Sequence, residues 1–175
     1  MDYIYNPVKE ADKRSDAVKA FPEYDIDNLD DRAKIIMKKY KLNFEYVPDG
    51  CWYQNLRSAL TKELWDIIRK DAYKRYNYQC AVCRKSGKLE AHERWHYDES
   101  KALQTLVDVV ALCPACHQVV HIGRTYLLGK GDEAMEHFMR VNACSQVEYH
   151  EALQTATALH QKRNKIENWT TDISW

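Results

Sequence analysis

Two Cys-x-x-Cys pairs, Cys80-Ala81-Val82-Cys83 and Cys113-Pro114-Ala115-Cys116, constrain this chain more than any other feature. Thiolates two residues apart on a tight turn reach one ion together. Two such turns complete the closed tetrahedral sulfur shell of structural zinc. The segment between them holds 29 residues, more than the ~15–20 of the commonest zinc ribbons, so the predicted zinc clamps the base of a small subdomain. Such a site would be integral to folding, contributing on the order of 10 kcal/mol or more.

The histidines of the same stretch form a second pattern. Pro114 suits the first turn of a helix, where its missing N–H costs nothing. His117 and His121 then fall four apart on one helical face, and His92 comes from the facing strand. Three imidazoles so arranged make a facial three-ligand site with positions left open for water and a substrate oxygen. An open site is the catalytic arrangement, a closed one the structural arrangement.

At these residues the chain resembles the HNH endonucleases, whose core is a hairpin followed by a helix gripping a catalytic metal, in many members held by a zinc on two Cys-x-x-Cys pairs. The runs CWYQNLRS, LTKELWDIIRK, HERWHYD and CHQVVHIG are similar to a phage and bacterial group of HNH-like proteins carrying His-Glu where the family usually has His-His. The likeness covers residues 48–175. It implies structural zinc on Cys80, Cys83, Cys113 and Cys116, and a catalytic divalent ion such as Mg2+, Mn2+ or Ni2+ on His92, His117 and His121. The implied function is a metal-dependent endonuclease hydrolysing phosphodiester bonds of DNA. The alternative is a catalytically silent module that binds nucleic acid or a protein partner.

Three residues compete for the proton-transfer roles. Glu93 follows His92 as the usual second histidine would, although its reference pKa of about 4.3 makes it a weaker base than imidazole at about 6.5. His96 shares a strand face with residue 92 if the strand persists that far. Asp98 stands where it can position a histidine, as the family's central Asn does.

Charge and composition agree with a nucleic-acid partner only in their distribution. Lys+Arg and Asp+Glu both total 26 in 175 residues, so the whole chain offers phosphate no attraction. Residues 57–88, however, carry nine Lys or Arg against three Asp or Glu, whereas residues 132–175 carry four against seven. Positive charge is concentrated around the zinc subdomain. No stretch approaches the ~20 apolar residues of a membrane span, and the N-terminus lacks the apolar segment of a secretory signal, so a cytoplasmic location and no membrane contact are expected. Cys51 and Cys144 stand outside the paired spacing and read as ordinary buried side chains in a reducing compartment.

The expected fold is α+β, a mostly helical domain built around a small zinc-clamped ββα core. Residues 1–47 read as an N-terminal helical extension, either extra packing or a docking arm for a protein partner, and residues 48–175 as the HNH-like domain with C-terminal helices. Helices are predicted over 29–42, with Leu29, Ala33, Ile36 and Tyr40 on one face, and over 61–76, with Leu64, Ile67, Ile68, Ala72 and Tyr76 as its apolar stripe. The opposite face of the second carries Lys62, Arg69, Lys70 and Lys74, a candidate phosphate line. Strands are predicted over 88–93 and 106–112 with a long loop over 95–101, and Gly123 is expected to end the histidine helix. Helices over 132–141 and 145–166 follow, the second opened by a capping box at Ser145 and Glu148, and the aromatic tail from Trp169 is expected to pack back on the domain.

Overall fold

In the computed structural model, which describes residues 29–174, seven α-helices and one short 3-10 turn surround a three-stranded sheet. The expectations for residues 1–28 and for Trp175 lie outside the described residues. Helix α1 (Leu29–Lys39) carries Asp30 and Asp31 in its first turn and Lys38 and Lys39 in its last, as the helix dipole favours. It buries Leu29 and Ala33. A short 3-10 turn (Asp49–Cys51) and α2 (Leu56–Ala59) lead to α3 (Lys62–Arg75), whose N-cap Thr61 accepts from the Leu64 amide.

Antiparallel strands β1 (Glu90–Asp98) and β2 (Leu103–Leu112) form the hairpin. The predicted long loop is a four-residue turn, because β1 runs on through Asp98. Its register shifts between Arg94 and Trp95, leaving Val107 as the extra residue of a bulge, 54% exposed. The bulge has a packing purpose. Leu106 and Val109, three apart, would otherwise face opposite ways, and both are buried against Leu56 and Ala72 on the α3 side of the sheet.

After β2 the chain enters α4 (Pro114–Val120) and α5 (Ile122–Leu127), which meet at His121. Gly123 therefore lies inside a helix and does not end one. His121 leaves helical geometry (φ −93°, ψ 47°), and the Thr125 hydroxyl donates to the Gln118 carbonyl at 2.7 Å, supplying a partner at the break. Helices α6 (Gly131–Asn142) and α7 (Gln146–Arg163) complete the bundle, α7 opening on the predicted capping box. The tail returns as β3 (Thr170–Asp172), parallel to β2, with Trp169 buried beneath it.

The main core lies on the other face of the sheet, where Val110 and Leu112 meet α4, α6 and α7 around fully buried Phe138 and Tyr149. Burying a side chain of this size contributes about 1.5–3 kcal/mol. Residues 29–47 are part of this core. Phe44 stacks on Phe138 with ring centroids 4.8 Å apart, and the Asn142 side chain brackets Leu42, accepting from its amide at 3.0 Å and donating to its carbonyl at 2.9 Å. The sequence boundary at residue 47 does not divide the packing. Helix α3 also differs from its expected stripe: Ile68 and Ala72 face the core with Trp65, while Leu64 and Ile67 are 48% and 64% exposed. Among the described residues no helix is long and apolar enough to cross a membrane.

Candidate metal centres

The sulfurs of Cys80, Cys83, Cys113 and Cys116 all lie within 4.8 Å of one another, a cluster that can hold a metal ion such as zinc. Local backbone geometry builds each half. Between the first pair, the Arg84 amide donates to the Cys80 carbonyl at 3.0 Å and Arg84 takes the left-handed conformation (φ 62°) that closes the turn. The Ala81 amide donates to the Ala111 carbonyl at 2.8 Å, tying that turn to the end of β2. In the second pair Cys113 caps α4, Pro114 fills its first turn and Cys116 comes from within it.

The electrostatics of the quartet suit a dication. The hydrogen bond from Cys116 draws the Cys80 thiol down to about 4, while that same pairing, aided by burial, pushes Cys116 up. The hydrogen bond already favours a thiolate at Cys80, and a divalent ion held by the quartet would favour the deprotonated form of its ligands. Behind Cys116 stands a support that no spacing signalled. His137 Nε2 lies 3.1 Å from the Cys116 sulfur, and Arg140 donates to His137 Nδ1 at 2.7 Å, which makes Nε2–H the donor to the sulfur.

The three predicted histidines also converge. Ring nitrogens of His92, His117 and His121 lie within 4.8 Å of one another, with ring centroids 4.6 to 5.4 Å apart. His92 comes from β1, His117 from α4 and His121 from the junction that follows it. Burial pushes His117 below the usual imidazole range despite Glu90, and pushes His121 down to about 3, so both rings are neutral at pH 7, the form that binds metal. Two carboxylates support the rings from outside. His117 Nδ1 donates to Glu90 at 2.6 Å and His92 Nε2 donates to Glu45 at 2.9 Å, so the neutral His117 ring keeps its lone pair on Nε2.

Glu45 gave no signal in the sequence. It belongs to the segment before residue 48 and reaches the site because its amide donates to the Val120 carbonyl at 3.0 Å, while Phe44 and Tyr46 pack into the core on either side.

None of the three candidates for proton transfer joins the histidines. Glu93 alternates with His92 along β1 and faces the α3 side, where it is held by the backbone amides of Leu56 and Arg57 while burial raises its pKa. It caps α2. His96 is exposed and stands four residues, roughly 13 Å of strand, from His92. Asp98 closes the hairpin turn, accepting from Ser100 at 2.6 Å and Lys101 at 2.9 Å, partners that hold its carboxyl at about 2.

Beside the His117 edge opens a cleft of about 770 Å3 between α3, β1 and α5, with Arg57, Lys62, Arg69 and Arg124 in its lining. Lys70 and Lys74, expected in the phosphate line, are not part of that lining. No family model matches this chain, and comparisons with characterised proteins and with solved structures find no match.

Proposed function

We propose that this protein is a metal-dependent endonuclease of the HNH type, hydrolysing phosphodiester bonds of DNA, with structural zinc on Cys80, Cys83, Cys113 and Cys116 and a catalytic divalent ion on His92, His117 and His121. One observation carries the reading: three imidazoles converge at the junction of a hairpin and a helix, two of them backed by the carboxylates of Glu45 and Glu90. Histidines satisfied merely as core residues do not need a shared focus. Carboxylate support outside an imidazole is the usual device for fixing the tautomer and ring orientation of a metal ligand.

A divalent ion bound there supplies positive charge to a scissile phosphate and to the oxygen that leaves it. The chain's own residues hold that charge in place. Glu45 and Glu90 orient His92 and His117, and Arg124, whose charge is felt by both His117 and His121, adds a fixed cation beside the site. The all-imidazole donor set favours a transition ion such as Ni2+ over Mg2+, which prefers oxygen ligands.

A specific observation favours the second reading, an HNH-like module that binds nucleic acid or a protein partner without cutting it. Glu93, the acid in the position of the family's usual base, is committed to capping α2 on the opposite face of β1. Plasmid nicking separates the two readings. Supercoiled DNA with added Ni2+, Mn2+ or Mg2+ should be nicked, a chelator should stop it, and Ni2+ should act at lower concentration than Mg2+. His92→Ala and His117→Ala should abolish nicking while keeping the cysteine-bound metal. Divalent-ion binding with no metal-dependent cleavage of single- or double-stranded DNA or RNA would establish the silent module.

A further inference from the structure

Three of the cations lining the cleft, Arg57, Lys62 and Arg124, make no ion pair or side-chain hydrogen bond among the described residues, whereas Arg69 is held by Asp66 at 2.6 Å. They come from three different elements: α2, the first turn of α3, and α5. The two carboxylates of the same lining are held by other partners, Asp66 by Arg69 at 2.6 Å and Glu90 by His117 at 2.6 Å, so an incoming anion would find these three cations without a close competing carboxylate. The placement of Arg57 is fixed from within the fold, because Glu93 grips its amide. The strand that presents His92 on one face thus fixes a wall of the cleft with its other face.

Trp65 and Tyr73, both half-buried, line the same cleft together with His117. Its volume of about 770 Å3 is that of a pocket for a compact ligand, roughly 300–1,000 Å3. A cleft of this size can take up a short stretch of one strand but is too small to enclose a paired duplex. Cations that track a backbone, interleaved with aromatic faces for bases, are the features of a single-strand track. Resting on the nuclease reading for its direction toward His117, we propose that the cleft binds a single nucleic-acid strand, phosphates on Arg57, Lys62 and Arg124 and a base on Trp65 or Tyr73, so that the preferred substrate is unpaired at the site of attack.

The test is fluorescence anisotropy with the full chain carrying its cysteine-bound metal and no other divalent ion, using labelled single-stranded DNA, single-stranded RNA and duplex DNA. Single strands should bind at least 10-fold more tightly than the duplex. The triple variant Arg57→Glu, Lys62→Glu, Arg124→Glu should weaken single-strand binding about 100-fold or more, and the slope of log K against log salt should shrink by about 2, as expected for three phosphate contacts on a single strand. Tyr73→Ala should cost about 10-fold without changing that slope. Trp65→Ala should do the same, with circular dichroism confirming its fold. The pair Lys70→Glu, Lys74→Glu, on the same helix but outside the cleft, should change single-strand affinity far less than the triple variant. Duplex binding as tight as single-strand binding, or equal losses in the triple and Lys70/Lys74 variants, would overturn the proposal. Cleavage unaffected by the triple variant would likewise overturn the cleft and leave the nuclease standing; cleft-dependent binding without cleavage would do the reverse.

Discussion

The individual side chains that matter at the histidine cluster divide into those with a spacing and those without one. His117 and His121 repeat a helical interval, and the four cysteines repeat Cys-x-x-Cys, so these groupings are written locally. Glu45, Glu90, His137 and Arg140 support those clusters from outside, and three of the four belong to elements the motif does not include. Glu45 tests this. Glu45→Ala removes the acceptor that holds the His92 ring, so Ni2+ affinity at the histidines should fall ~10- to 100-fold, as measured by calorimetric titration of protein already carrying zinc at the cysteines. An unchanged affinity would show that His92 needs no carboxylate to hold its tautomer. Glu93 illustrates the opposite error. Adjacency in sequence suggested adjacency to the metal, but strand alternation turns neighbouring side chains to opposite faces.

Among the elements, those with long apolar periodicity were legible: α1 buries Leu29 and Ala33 as read, with Tyr40 buried just past its end, and α7 opens on the capping box. Elements shaped by neighbours were not. The hairpin turn has four residues where seven were expected, and β1 runs to Asp98 where its end was expected at residue 93, since strand pairing and the bulge at Val107 outweigh the polar content of residues 96–101. In α3 the contact with β2 chose Trp65 over Leu64 and Ile67, a rotation of the stripe that a single helix cannot reveal. The start of α6 is equally dependent on packing. A Cβ at Gly131 would overlap the ring of Tyr126, whose hydroxyl is hydrogen-bonded to that of Tyr149 at 3.0 Å. Gly131→Ala, normally favourable in a helix, should here destabilise the protein by about 1–3 kcal/mol through overpacking. Urea unfolding checks the sign, and a stabilised variant would mean that Tyr126 moves freely.

At the scale of the molecule, the cysteine cluster joins the turn before β1 to the start of α4, and thereby fixes the hairpin against the helix that presents His117. Cys113→Ser should lose the metal and, with it, the fold of the hairpin and α4, because the sulfur shell anchors both ends of that segment. Metal analysis alongside near-ultraviolet circular dichroism would read this, and a metal-free protein with native side-chain signals would refute it. The sequence by itself determined the cysteine and histidine groupings, the α+β composition of the core and the separation of positive charge toward residues 57–88, because each depends on residue type at short spacing. Only the tertiary structure decided that residues 29–47 belong to the same core, that Glu45 meets His92, that His137 meets Cys116, and that Arg57, Lys62 and Arg124 share one cleft. Those pairs lie far apart along the chain or on separate elements, and long-range packing of the helices around the hairpin leaves no local pattern from which they could be read.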